Sequence, residues 1–160
     1  MLQSVQKFCS KKLLKLRARA SAQSEMIDVS SQVIQIKSAL ILLPEDTETL
    51  QIAVEKLDEL RGLFKNAEFH YIILSTSPFD YPAAIVENAT KISKNDLTIF
   101  GAPSKTFLYD YSSKNFDILI DLNIEFNAFA TYLARSTNTR LRVCLSSPDR
   151  EPFYNLQINA

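Results

Sequence analysis

Two short polar clusters follow apolar runs in this chain, and both have the make-up of a site. The first is Pro44-Glu45-Asp46, after Ser38-Ala39-Leu40-Ile41-Leu42-Leu43. The second is Asp121, Asn123 and Glu125, at the end of Phe116-Asp117-Ile118-Leu119-Ile120. Carboxylates and amides accept bonds from the hydroxyls of a sugar or another small polar ligand. Two carboxylates and an amide around one turn also suit a hard cation whose shell water completes. Glu45, Asp121, Asn123 and Glu125 are therefore the candidate ligand-binding residues. Two of them have a plain structural reading beside this one: Asn123 is a good helix N-cap and Glu125 a good first-turn residue, which needs neither ligand nor metal.

Such residues act together only if the fold brings their loops together. The run from Phe116 to Val143 reads as strand, helix, strand, with Phe126, Phe129, Ala130 and Leu133 at the spacing of one buried helical stripe. Unbroken apolar strands belong to sheets covered on both faces, and a crossover helix implies parallel pairing. Upstream, Ser38–Leu43 is the first strand and Pro44 stops it. The next helix spans Thr47 to Phe64, with Asp46 or Thr47 able to cap it, and Phe69–Leu74 is the second strand. Ala83–Ala89 is read as a short helix, Leu97–Phe100 as the third strand, and Ser104–Asn115 as an aromatic linker or short helix. Leu141–Leu145 is the fifth strand, and Phe153–Asn159 a last short strand or tail. The expected fold is α/β: a single doubly wound, mainly parallel sheet of order 3-2-1-4-5 with helices on both faces, plus an N-terminal helix. Ligands of such sheets sit at the carboxyl ends of strands, where the order reverses. Between strands one and four the loops Pro44–Asp46 and Leu122–Glu125 converge, and they offer acids and an amide without lysine or arginine.

Composition removes several classes of chemistry. The 160 residues are 46% hydrophobic, enough for one core, and carry no formal net charge, so no global field argues for nucleic acid. Two glycines, Gly62 and Gly101, leave no room for a dinucleotide-binding or phosphate-loop glycine motif. One histidine, His70, excludes multi-histidine metal sites, and its place in Phe69-His70-Tyr71-Ile72 reads as structural. Cys9 and Cys144 form no C-x-x-C pair, so a reduced, cytoplasmic compartment is expected. No cofactor is indicated. Residues 1–24 concentrate Lys7, Lys11, Lys12, Lys15, Arg17 and Arg19 without an acid, and Leu2, Val5, Cys9, Leu13 and Leu16 line one stripe. The division expected is thus a basic amphipathic leader and linker over 1–31 and an α/β domain over 32–160. The leader is read either as packing on the domain edge or as a peripheral contact with a partner or the inner membrane.

Ala39-Leu40-Ile41-Leu42-Leu43 through Asp46, the helix ending Leu60-Arg61-Gly62-Leu63-Phe64, and Ala67–Ile72 resemble the amino-terminal half of the heptosyltransferase-like family 9 glycosyltransferases. So does Phe116–Leu122 with its helix and Arg140–Val143. The likeness covers about two-thirds of the chain. It implies a Rossmann-like half domain whose companion lobe, which holds the nucleotide-sugar donor, is not part of this sequence. It also implies Asp46 as the catalytic carboxylate that activates the acceptor hydroxyl. Pro44-Glu45-Asp46 stands where the family has a Gly-Asp pair. The ending Asp149–Ile158 is similar to the close of small stand-alone bacterial proteins of uncharacterised function.

Three functions follow as expectations. The first is a half domain that is non-catalytic alone and binds a protein partner or a sugar-like polar ligand. The second is the acceptor-side subunit of a two-chain glycosyltransferase of envelope glycan synthesis. The third is a flavodoxin- or receiver-like regulatory domain, with Glu45, Asp46 and Asp121 as its acids but without a lysine after strand five. Outside the loops, Arg140 and Arg142 could reach a phosphate or stay solvated, and Tyr109 and Tyr111 could stack on a ring or cover the core.

Overall fold

The computed structural model describes residues 35–74 and 79–159. The leader over 1–31 lies outside them. From β1 (Ser38–Leu42) the chain passes through α1 (Thr47–Leu63) to β2 (Glu68–Ile73). The one-turn α2 (Ala83–Val86) leads into β3 (Ala89–Lys91), and α3 (Lys105–Ser112) into β4 (Asn115–Asp121). Then α4 (Ala128–Ser136), β5 (Asn138–Leu145) and β6 (Leu156–Ile158) complete the sequence. The strands form one sheet of order β3-β2-β1-β4-β5-β6, and every pairing is parallel.

Alternation along the central strands divides the core into two layers. Leu40, Leu42, Ile72 and Leu119 meet Phe107 and Tyr111 of α3 and Phe129, Ala130, Leu133 and Ala134 of α4. Ala39, Ile41, Tyr71, Ile73, Ile118 and Ile120 meet Leu50 and Leu57 of α1 and Ile85 of α2. The sheet is therefore covered on both faces, which is why its central strands carry apolar residues at nearly every position. Register places Leu42 beside Asp121. The ends of β1 and β4 are level, and the loops that follow them lie side by side.

Several sequence-derived elements shift. Leu97–Phe100 is not the third strand: Leu97 makes an isolated antiparallel bridge to Pro103, Gly101 turns at φ 73°, and Ile99 is 77% exposed. The third strand is Ala89–Lys91, because α2 ends early at Val86 and frees the chain to pair with Tyr71–Ile73. Ser104–Asn115 holds a helix, capped by the Ser104 hydroxyl on the Phe107 amide. Helical spacing sends Tyr109 and Tyr111 to different faces, the first exposed and the second buried. The fifth strand begins three residues earlier than expected, and the tail contributes a sixth strand. Among the described residues no helix is long and apolar enough to cross a membrane.

Candidate functional site

At the switch point between β1 and β4 lies a cleft of about 430 Å³. It is lined by Pro44, Glu45, Asp46 and Thr49 on one side and by Asn123 to Asn127 on the other. Four of the five sequence-derived candidates, Glu45, Asp46, Asn123 and Glu125, thus share one cavity. The fifth, Asp121, does not reach it.

Each of these side chains already has a local task except Glu125, which stands exposed at the rim. Asp46 is the N-cap of α1: Oδ1 accepts the Glu48 amide at 3.1 Å and Oδ2 the Thr49 amide at 2.9 Å. That geometry satisfies two amides with no partner inside the helix. Asn123 is not the cap of α4. Asn127 is, its Oδ1 accepting the Ala130 amide at 3.0 Å, so the helix starts one turn later than the sequence suggests. Asn123 instead bridges the two loops, its Oδ1 accepting the Glu45 amide at 3.1 Å. Glu45 Oε2 accepts from Asn127 Nδ2 at 2.9 Å. The cleft walls are therefore tied together by an amide on each side.

Beneath the cleft is a feature that the local sequence pattern did not reveal. Arg150, from the β5–β6 connection, is wholly buried and pairs with Asp121 Oδ2 at 2.6 Å, both side chains being inaccessible. The Nη2 of that pair also donates to the Asp121 carbonyl, and Nη1 donates to the Asn123 carbonyl. Tyr154 donates to the same Asp121 Oδ2 at 2.5 Å. Asp121 Oδ1 accepts the Asn123 amide at 3.0 Å and Asn123 Nδ2 at 2.7 Å. The expectation that the convergence holds no arginine is corrected: a guanidinium lies under it, contributed by Asp149-Arg150-Glu151-Pro152, which reads locally as a loop. Arg150 stands between Asp149 and Glu151 in a segment that is polar by composition, so no local pattern marks it as buried.

Electrostatics fix the protonation of this network. Burial, and then the Asp121 carboxylate, push the Tyr154 hydroxyl well above its ordinary value, so it remains a donor. Burial lowers and Asp121 raises the affinity of Arg150 for its proton, with a net rise. Neighbouring Cys144 is pushed up to about 11, chiefly by burial, and is a thiol rather than a nucleophile at neutral pH. With its carboxylate enclosed and ion-paired, Asp121 is not presented to solvent as a receiver's phosphorylated aspartate must be.

The remaining candidates stay apart from the cleft. Arg140 is exposed near the start of β5, and Arg142 is half-buried with burial, then Arg135, lowering its pKa. His70 packs edge-on to Phe116, ring centres 5.4 Å apart. Among the described residues, no group of three or more His, Cys, Asp or Glu is placed to hold a metal ion. In sequence, the chain belongs to the family of unknown function DUF6913, whose model matches residues 3–160. Neither the curated proteins nor the solved structures contain a match.

Proposed function

We propose that this family member is a binding module of glycosyltransferase-like architecture, non-catalytic alone, whose switch-point cleft takes a small ligand rich in hydroxyl groups. One observation carries the reading: the cleft is walled by the carboxylates of Glu45, Asp46 and Glu125, while the neighbouring cation, Arg150, is enclosed and paired with Asp121. Hydroxyl donors suit acceptor groups of this kind. A diphosphate, by contrast, calls for accessible arginine, lysine or amide donors. Asp46 supports the non-catalytic half of the reading. It occupies the place where the resemblance implies an acceptor-activating base, yet both its oxygens hold the start of α1.

The same polarity favours one alternative, the acceptor-side subunit of a two-chain glycosyltransferase. Acids that receive acceptor hydroxyls would then work beside a donor-binding lobe on another chain. Amide-resolved NMR titration with neutral sugars and nucleotide sugars separates these readings. Neutral sugars are expected to move the Glu45, Asn123 and Asn127 signals at millimolar concentration, with no transfer in the presence of any nucleotide sugar. Turnover by the chain alone would overturn the proposal. Turnover only with an added donor-binding protein would establish the two-chain enzyme.

A further inference from the structure

Two arginines of β5 take no part in the cleft. Leu141 and Val143 point into the α1 layer, so alternation turns Arg140 and Arg142 to the α4 face, where Arg142 stands level with Leu119. Two residues along one strand face put their Cα atoms about 6.6 Å apart. Arg140 is exposed; Arg142 is half-buried, and its Nε is enclosed without an acceptor. Among the described residues no acid forms an ion pair with either. Burial, then the charge of Arg135 at the end of α4, disfavour the charged form of Arg142, and no carboxylate opposes them. The acid level with Arg140 is Asp117 of β4, whose Oδ2 already accepts the Lys37 and Ser38 amides at 2.8 and 3.0 Å. A half-buried cation with neither acceptor nor counter-charge is costly unless a group from outside completes it.

The backbone that carries both arginines is held from the side. Asn155 Oδ1 accepts the Arg142 amide at 2.7 Å, its Nδ2 donates to the Arg140 carbonyl at 2.7 Å, and its own amide donates to the Arg142 carbonyl at 3.1 Å. Beside Arg140 a cavity of about 480 Å³ opens at the starts of β4 and β5, with Asn115, Asp117 and Asn138 in its wall. It lies at the opposite end of these strands from the cleft. We infer that Arg140 and Arg142 hold the phosphate of a small soluble phosphomonoester, whose remaining polar groups enter this cavity beside Asn115 and Asn138. Charge decides the class. A phosphomonoester carries about −1.5 to −2 at neutral pH and matches two guanidinium groups, whereas a carboxylate leaves one of them uncompensated. Asn138 Nδ2 donates to Asn115 Oδ1 at 3.2 Å, which leaves Asn138 Oδ1 for a hydroxyl and Asn115 Nδ2 for an acceptor. The site is separate from the cleft, and its failure leaves the sugar reading untouched.

The test is an NMR titration of the full chain with inorganic phosphate and with glycerol 3-phosphate, at neutral pH and constant ionic strength. Both should shift the Arg142 Nε–H signal saturably, and glycerol 3-phosphate should also move the Asn115 and Asn138 side-chain signals, while the Glu45 and Asn127 amides stay still. Arg140→Gln changes an exposed side chain and should weaken binding by about tenfold or more, the worth of one charge-assisted contact. Arg142→Lys keeps the charge but loses the fork, and should weaken binding while phosphate still shifts the Arg140 signal. An Arg140→Gln chain that binds phosphate as tightly as the native one overturns the proposal. So do shifts that chloride reproduces at the same ionic strength, which mean an adventitious ion only. A response confined to vesicles containing phosphatidate overturns the soluble ligand in favour of a lipid headgroup.

Discussion

The Asp121–Arg150 pair is the residue on which the site's shape depends most. Two charges removed from water are stabilising only when their hydrogen bonds are complete, and removing one partner leaves the other uncompensated. Arg150→Met is therefore expected to cost about 3–5 kcal/mol in urea unfolding. Adding Asp121→Asn to that variant should return about 1–2 kcal/mol, because the stranded charge disappears. A double variant no more stable than the single one would mean that the arginine acts through its carbonyl contacts alone. Cys144 supplies a pH signature. Its thiol has an ordinary pKa of 9.0 and a folded one of about 11, so the folded chain holds the proton more tightly. That contribution is complete below about pH 9 and is lost as the pH rises toward 11. Stability should fall across this window, on the order of 1–2 kcal/mol of it from this residue. Unfolding of Cys144→Ala at pH 8.5 and 10.5 should show a shallower decline, and an unchanged slope would remove the assignment.

At the scale of elements, helix ends decide which carboxylates are available. Asp46 was legible as a cap because it precedes a helical stripe at Leu50, Val54 and Leu57. The structure gives it that work through two amide bonds. Asp46→Ala is expected to cost about 1 kcal/mol and Asp46→Asn less, since asparagine keeps one of the two acceptor oxygens while its amide nitrogen cannot replace the other. Sugar-induced shifts should survive Asp46→Asn; their loss would make the carboxylate a ligand-binding group in its own right. Asn123 and Asn127 could not be told apart in the sequence, as both are caps by type and lie one helical turn apart. What separates them is the bond from the Glu45 amide to Asn123, a contact 78 residues away that no local pattern encodes. The third strand was hidden for a related reason. Three residues, Ala89–Lys91, are too few to show a period, whereas Leu97–Phe100 looks like a strand and is left exposed by the Gly101 turn.

For the whole molecule, order 3-2-1-4-5 and parallel pairing follow from alternating apolar strands and helical stripes and were readable before any contact was known, whereas the sixth strand and the segment that forms the third were not. The network beneath the cleft was not, because Arg150 meets Asp121 across 29 residues and through a loop that is polar by composition. The architecture also sets how the molecule should open. β1 and β4 are bonded on both sides and covered on both faces, while β3 and β6 are three-residue edges. Amide exchange by mass spectrometry should find Leu40, Ile41, Leu119 and Ile120 exchanging only through global unfolding, and Thr90 and Gln157 through local fraying. Arg150→Met should accelerate β4 and β5 more than β2, since Arg150 holds Asp121 at the end of β4 and the carbonyl of Asn123 beyond it. A uniform acceleration across the sheet would instead show that the buried pair supports global stability without belonging to a local cooperative unit. Slow exchange at β6 equal to that of β1 would overturn the edge assignment, because a strand paired on one side alone cannot match one enclosed on two.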